Sequence, residues 1–157
     1  ILTPDFRNKV NYLETMARCD FNVFNHNLET VRSLYKVIRP GADYFHSLSL
    51  LKSIKRVKHN ILTKSGIMIG LGENIDEIRE LFSDLRSVDV DFITIGQYLR
   101  PSLNHFPVIK YHEQEYFDSL KEIAIKMGFK AANSFPFARS SYKSKEEYEV
   151  LKLKFNR

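Results

Sequence analysis

One stretch decides the fold class of this chain: Thr63-Lys64-Ser65-Gly66-Ile67-Met68-Ile69-Gly70-Leu71-Gly72-Glu73. It has the pattern of a buried strand that ends in a glycine-rich turn. Residues 74–88 follow with apolar side chains at helical spacing, which predicts a helix. A strand, a turn and a helix form the unit of α/β folds, whose ligands collect beyond the carboxyl ends of the strands. The turn therefore marks the predicted functional side of the protein.

Short apolar runs predict four further strands, at residues 1–3, 21–24, 91–95 and 129–132. Apolar stripes at helical spacing separate these runs, and strands that alternate with helices pair in parallel. Five such strands could form a small open sheet or the second part of a (β/α) barrel, and periodicity alone does not separate the two. The chain starts without Met, which favours a barrel whose first strands precede Ile1.

Several helix boundaries can also be predicted. Asn27 is placed to cap a helix whose apolar stripe covers residues 28–38, and Asp43 is placed to cap the next helix. Asn74 and Glu77 form the pattern of a capping box. A charged, peripheral helix is predicted near the end of the chain, over residues 145–155. The long connection that follows Gly96 lacks a regular pattern, and such loops are usually functional or mobile.

Composition limits the classes of function. The 157 residues are 43% hydrophobic and 27% charged, which suits one folded domain or a piece of a larger one. No run reaches the roughly 18 apolar residues of a membrane span, so no membrane role is predicted. The net charge of +5 suits an acidic partner or a phosphorylated ligand, whereas dispersed basic residues argue against nucleic acid. The only cysteine, Cys19, excludes an internal disulfide and a cysteine-only metal site within this chain.

The carboxyl ends of parallel strands meet on one rim, and polar residues follow several of the predicted strands. Asn25, Asn27 and Glu29 offer acceptors for hydroxyl or ammonium groups. Lys64 and Arg39 could meet a carboxylate. The glycines of the opening stretch let the backbone approach a flat ligand, although such a turn is as often only a tight turn. The residues alone therefore predict a ligand-binding part of an α/β fold.

Seven runs spread over nearly the whole chain carry a family resemblance. They are Leu2-Thr3-Pro4-Asp5-Phe6-Arg7, Val23-Phe24-Asn25-His26-Asn27-Leu28-Glu29-Thr30-Val31, Arg39-Pro40-Gly41-Ala42-Asp43-Tyr44, Thr63-Lys64-Ser65-Gly66, Gly70-Leu71-Gly72-Glu73, Thr94-Ile95-Gly96-Gln97-Tyr98-Leu99 and Arg139-Ser140-Ser141-Tyr142. In this order they resemble the carboxyl-terminal part of the lipoyl synthase family, a group of radical S-adenosylmethionine (SAM) enzymes. The run Gly66-Ile67-Met68-Ile69-Gly70 also resembles the Gly-x-Ile-x-Gly strand of radical SAM barrels.

The resemblance implies a fold and an activity. The fold is α/β, the carboxyl-terminal portion of a partial (β/α)6 TIM-like barrel with parallel strands, with residues 1–133 in the barrel and residues 134–157 as a carboxyl-terminal segment. The activity is the insertion of two sulfur atoms at C6 and C8 of a protein-bound octanoyl group. The family uses one [4Fe-4S] cluster to convert SAM to a 5′-deoxyadenosyl radical and consumes a second cluster as the sulfur donor. Its cysteine triads would precede Ile1, so this chain alone is expected to be inactive.

The resemblance also implies roles for single residues. A serine of the Arg-Ser-Ser-Tyr motif ligates the second cluster in the family, and here Ser141 is favoured, with Ser140 as the alternative and Arg139 beside them. Outside that context, a serine pair in a loop more often caps backbone groups. Phe135 and Lys143 stand where the family usually has glycine and histidine. The predicted contacts of SAM are Asn25, Asn27, Glu29, Arg39, Lys64, Gly66, Gly70 and Gln97.

The implied partners are octanoylated lipoyl domains of 2-oxoacid dehydrogenases, the glycine-cleavage carrier protein, and an electron donor such as ferredoxin or flavodoxin. Such carrier domains are commonly acidic, which is compatible with the positive net charge. The implied compartment is the bacterial cytoplasm or, in a eukaryote, an organelle matrix. Two alternatives stay open: another sulfur-inserting radical SAM enzyme similar to biotin synthase, and a non-catalytic binding protein derived from the barrel. The motif at residues 139–142 favours a lipoyl synthase over the biotin-synthase-like enzyme. Two cysteine triads in the sequence before Ile1 would support an enzyme over the non-catalytic binding protein.

Overall fold

A four-stranded parallel sheet with helices between its strands forms the frame of the protein. The computed structural model describes residues 1–7, residues 11–140 and Glu149. The strands are paired in chain order and are β1 (Val23–Asn25), β2 (Leu62–Ile69), β3 (Phe92–Gln97) and β4 (Ala131–Ser134). The helices are α1 (Tyr12–Arg18), α2 (Tyr35–Ile38), α3 (Tyr44–Val57), α4 (Ile75–Ser87) and α5 (Gln114–Lys126). The predicted α/β class and parallel pairing are confirmed.

The two faces of the sheet differ in chemistry. Side chains alternate across a strand, and one set, which includes Ile67 and Ile95, is buried in the core with apolar residues of α3, α4 and α5. The opposite set is mixed, and we call its side of the sheet the polar face because it carries Asn25, Lys64 and Thr94. The parallel register aligns Asn25 with Lys64 and places Thr94 beside Gly66, and the same set includes the apolar Phe92 and Met68. A ligand that reaches this face therefore meets polar groups, glycine and some apolar surface.

Asp91 ties the amino-terminal ends of the strands together. Its carboxylate accepts hydrogen bonds from Lys55 of α3 at 2.8 Å and from the backbone N–H of Thr63 at 2.9 Å, and it pairs with Lys130 at 2.9 Å. Burial by itself would raise the pKa of Asp91, but these donors hold it below its ordinary value. Asp91 thereby connects β2, β3, the start of β4 and helix α3 at a single point.

Residues 28–31 are not helical, and Glu29 has a φ of 70°, which corrects the prediction that Asn27 caps a helix over residues 28–38. The backbone N–H of Glu29 donates to the carbonyl of Gly66 at 2.9 Å, and the carbonyl of Glu29 accepts from Met68 at 2.8 Å. These bonds continue the pairing with β2 and use the backbone groups that a helix would need. The first helical turn, a 3-10 turn at Arg32–Leu34, comes only afterwards. The predicted helical conformation is therefore wrong for residues 28–31 and is confirmed from Arg32 to Ile38.

Other boundaries match the predictions or differ by a few residues. The predicted strand at residues 1–3 is reduced to an isolated bridge between Leu2 and Asn25, so the described part of the chain has four strands and not five. β3 runs to Gln97, beyond the predicted end at residue 95, and β4 begins two residues after the predicted start at residue 129. The capping roles of Asp43 and of the Asn74–Glu77 pair are confirmed.

The predicted helix over residues 145–155 lies outside the described residues except for Glu149. The division into residues 1–133 and 134–157 stays a prediction, as does the closure of this sheet into a barrel. Within residues 1–7 and 11–140, the helices all lack the length and apolar character needed to cross a membrane.

Candidate functional site

A cleft of about 330 Å³ lies on the polar face of the sheet, toward the carboxyl ends of β2 and β3. This volume falls at the lower end of the range of about 300–1,000 Å³ that is typical of ligand pockets. Its position is the one at which α/β sheets commonly bind ligands. Four segments line it, and their residues include Asn27, Glu29, Gly66, Met68, Thr94, Gly96, Gln97, Leu99, Ala138, Arg139 and Ser140.

Asn27 joins two distant parts of the chain inside the cleft. Its side-chain Nδ2 donates to Glu29 Oε1 at 3.1 Å and to Ser140 Oγ at 3.0 Å. The Ser140 hydroxyl in turn lies 3.3 Å from Asn27 Oδ1. One amide therefore connects the segment that follows β1 to the segment that follows β4. The cleft contains Ser140 and Arg139 of the predicted motif, whereas Ser141 lies outside the described residues.

Two glycines allow these segments to approach the sheet. A Cβ atom on Gly66 would lie 2.9 Å from Asn27 Oδ1 and 3.1 Å from Ser140 Oγ. A Cβ atom on Gly96 would lie 2.5 Å from the carbonyl oxygen of Ala138. Both distances are shorter than ordinary van der Waals contact, so a larger residue would displace the segments. In this structure the chain itself makes the close approach at Gly66, and the predicted contact of Gly66 with SAM stays a prediction.

Glu29 supplies the negative charge of the cleft. Burial raises the pKa of Glu29, while the hydrogen bond from Asn27 and the charge of Arg39 act in the opposite direction. A buried carboxylate regains favourable interactions when a cation comes close to it. Glu29 is therefore suited to bind the ammonium group of an amino acid, as predicted from its position on the rim.

Arg39 stabilises the backbone of the segment that carries Asn27 and Glu29. Its guanidinium donates to the carbonyl oxygens of Asn27 at 3.2 Å and Leu28 at 3.4 Å, and to the hydroxyl of Tyr35. It also lies over the Tyr35 ring, 5.2 Å from the ring centroid. These contacts hold the backbone that carries Asn27 and Glu29. A direct contact between Arg39 and a cofactor carboxylate stays a prediction.

The polar face of the sheet contains buried side-chain oxygens that lack a hydrogen-bond partner. Asn25 and Lys64 are buried and paired in register. Each precedes a residue of the cleft lining, Asn27 or Gly66, by two positions along the chain. Among the described residues, Asn25 Oδ1 and Thr94 Oγ1 are buried without a hydrogen-bond partner. Such groups cost free energy until they are paired. Thr94 lines the cleft but was not among the predicted site residues, although its alternation with Gly96 could have identified it.

Gln97 and Gly70 stabilise the loop beyond β3. The Gln97 side chain donates to three backbone carbonyl groups at 3.0–3.2 Å, and its oxygen accepts from the backbone N–H of His112 at 3.1 Å. Gly70 has φ +95°, and a Cβ atom there would overlap the Gln97 amide and the carbonyl of Lys110. The side chain of Gln97 thus has a framework role. Contacts of Gln97 and Gly70 with SAM stay predictions.

The amino-terminal half of the chain, which contains part of the cleft, matches a known protein family. Residues 1–85 match the family model described as the Radical SAM superfamily. This chain belongs to that superfamily. The match covers more than half of the 157 residues and includes β1, β2, Asn27, Glu29 and Gly66. Membership in the radical SAM superfamily points to an enzyme that uses SAM and a [4Fe-4S] cluster.

The cleft contains groups that SAM could bind, whereas the described residues offer no set of ligands for a cluster. The Glu29 carboxylate and the Asn27 amide are of the kind that pairs with the ammonium and hydroxyl groups of SAM. A [4Fe-4S] cluster requires thiolate ligands. Within residues 1–7 and 11–140, no group of three His, Cys, Asp or Glu residues could hold a metal ion. Cys19 is exposed and follows the last residue of α1, before β1 begins, so it is no part of the rim.

Proposed function

We propose that this chain is the carboxyl-terminal part of a lipoyl synthase, with its sheet forming part of a partial (β/α)6 barrel. The observation that carries the proposal is the hydrogen bond between Ser140 and Asn27. It brings the start of the Arg139-Ser140-Ser141-Tyr142 motif, which distinguishes the lipoyl synthase family, into the cleft with the groups that SAM could bind. A sulfur-inserting enzyme needs its sulfur source and its hydrogen-abstracting cofactor close to the same substrate carbon. The contact supports such an arrangement.

The proposed reaction replaces one C–H bond at C6 and one at C8 of a protein-bound octanoyl group by C–S bonds. When bound, SAM supplies the radical that removes each hydrogen atom. Glu29 would hold the ammonium group of SAM, and Asn27 would orient the cofactor while it also fixes the 138–140 segment. Met68 and Leu99 line the cleft with apolar surface, which limits the access of water to reactive species.

The two serines of the motif have separate proposed roles. Ser140 Oγ already bonds Asn27, which makes Ser140 a positioning residue. Ser141 is then the favoured ligand of the second cluster, and Ser140 remains the alternative. A serine oxygen binds iron less tightly than a thiolate does, and such a ligand would be released easily when sulfur is withdrawn.

The test uses the full-length protein under anaerobic conditions with SAM, dithionite and an octanoylated lipoyl domain. We expect 5′-deoxyadenosine and a substrate mass increase of two sulfur atoms. Formation of 5′-deoxyadenosine without sulfur transfer to this substrate would contradict the proposal and would favour another radical SAM enzyme, such as one similar to biotin synthase.

The serine roles are tested with Ser141→Ala and Ser140→Ala, and with Ser119→Ala, a change in helix α5, as the matched control. We expect Ser141→Ala to lower iron and sulfide content and to abolish sulfur transfer. Ser140→Ala should retain the cluster but turn over slowly, and Ser119→Ala should behave as wild type. Equal cluster content and equal turnover in all three variants would refute a ligand role for either serine.

A further inference from the structure

The connection between β3 and α5 is an irregular segment that is fixed by its own hydrogen bonds. We name residues 98–112 the rim loop. The Tyr98 hydroxyl donates to the carbonyl of Phe106 at 2.8 Å, and Arg100 Nε donates to the carbonyl of His105 at 2.8 Å. At its far end, the backbone N–H of Ile109 donates to the carbonyl of Gly70 at 2.8 Å. Together with the Gln97 bonds, these contacts hold the rim loop in one conformation.

This rigid loop presents large apolar side chains to solvent. Leu103 is 85% exposed, Tyr111 is 67% exposed and Ile109 is 57% exposed. Single exposed apolar residues are common, but these three lie close together in the sequence on one hydrogen-bonded loop, which sets them apart from scattered surface residues. A loop that is already ordered loses little conformational entropy on association, which favours affinity. Leu99 belongs both to this loop and to the cleft lining, so the surface continues into the site.

The charge of the rim loop restricts the chemistry of its partner. Residues 98–112 contain Arg100, His105, Lys110 and His112, and the first acidic residue of the connection is Glu113, at the start of helix α5. Complementary charge steers association and excludes partners of like charge. A second copy of the same loop would therefore be repelled, whereas an acidic surface would be attracted.

We propose that the rim loop is the docking surface for an acidic carrier domain, which presents its acyl chain to the cleft beside Leu99. Leu103 and Tyr111 are the apolar anchors, and Lys110 supplies attraction to the acidic surface. This inference rests on the proposed function, because it names the surface on which the protein substrate of that function binds.

The experiment is a calorimetric titration of the full-length protein with an acidic octanoylated lipoyl domain. Leu103→Asp and Lys110→Glu are the test variants. Ile125→Asp, at a 45% exposed position near the end of α5, is the matched control. We expect each rim-loop change to raise Kd about tenfold or more, as for an interface anchor, and Ile125→Asp to leave Kd unchanged. Added salt should weaken the wild-type complex.

The outcomes separate this inference from the proposed function. Circular dichroism checks folding, and Leu103→Ser replaces Leu103→Asp if the latter unfolds. A short octanoyl-lysine peptide, which lacks the carrier fold, should be converted equally by wild type and Leu103→Asp. Failure of wild type to convert either substrate would refute the proposed function, whereas conversion with unchanged Kd in both rim-loop variants would refute the docking surface. Binding of wild type to anionic vesicles that Leu103→Asp abolishes, with carrier binding intact, would assign the loop to a membrane instead.

Discussion

The contact between Gly66 and Asn27 leads to a double-mutant prediction. In Gly66→Ala, the new methyl group would lie 2.9 Å from Asn27 Oδ1, 3.1 Å from Asn27 Cγ and 3.1 Å from Ser140 Oγ. Ordinary contact distances are longer, so both side chains must move by a few tenths of an ångström. Removing Asn27 in a second variant, Asn27→Ala, takes away two of the three crowded atoms. The two changes should therefore be energetically coupled.

The magnitude follows from two opposing effects. Overpacking a well-packed site costs about 1–3 kcal/mol. Replacing glycine by alanine in a strand returns about 0.5–1 kcal/mol of backbone conformational entropy. We therefore expect Gly66→Ala alone to destabilise the protein by roughly 0.5–2 kcal/mol. In the background of Asn27→Ala most of the overlap is absent, so the coupling free energy should be about 1 kcal/mol.

The assay is urea unfolding of wild type, the two single variants and the double variant, with stability compared at a constant m value. Gly128→Ala provides the control, because Gly128 follows α5 and the nearest atom to its methyl group would be Arg86 Nε at 3.6 Å, with no contact to Asn27 or to residues 138–140. Gly128→Ala and Asn27→Ala should therefore be additive. Additivity of Gly66→Ala and Asn27→Ala within about 0.5 kcal/mol would show that the contact carries no energy.

The remaining predictions concern pH. Asp91→Asn should lower the free energy of unfolding by about 2–3 kcal/mol, less than for a fully buried pair because both lysines are partly exposed. The pKa of Asp91 in the folded protein is depressed below 3.8. The difference in unfolding free energy between wild type and Asp91→Asn, measured by urea unfolding, should therefore be fully present above pH 3.8 and be lost as the pH falls through the depressed pKa. The pKa of Glu29 is raised above the ordinary glutamate value of 4.5, so on acidification Glu29 takes up a proton at a higher pH than an exposed glutamate does. We therefore expect the affinity for SAM, measured by calorimetry, to fall while the pH is still above 4.5. Glu29→Gln should bind SAM about tenfold more weakly and lose this pH dependence, and an unchanged affinity would remove Glu29 from the site.

Local signals in the sequence were sufficient for most of the frame. The Asn74–Glu77 capping box and the Asp43 cap depend on neighbouring residues only, and both are confirmed. β2 and β3 could be predicted because their apolar runs are bounded by turns. The segment at residues 28–31 could not, because its backbone is held by β2, more than thirty residues away. Apolar spacing reports burial, and pairing with a distant strand decides the conformation.

The candidate site shows the same limit. Six predicted residues line the cleft: Asn27, Glu29, Gly66, Gln97, Arg139 and Ser140. Four other predicted residues are not among its lining. Arg39 bonds backbone carbonyl groups, Asn25 and Lys64 are paired in register on β1 and β2, and Gly70 makes room for the Gln97 amide. The sequence shows which residues follow each strand. It does not show which of them turn toward one cavity.

The position of Asp91 has a consequence for how this protein can change over time. Its ion pairs lie at one end of the sheet and the cleft lies at the other. Substitutions in the cleft can therefore alter which ligand is bound while the hydrogen bonds and ion pairs of Asp91 keep the strands in register. Changes at Asp91 would instead lower the amount of folded protein and leave the chemistry of each folded molecule as it was. The fold thus places one of its stabilising clusters of ion pairs at the end of the sheet opposite the candidate binding site.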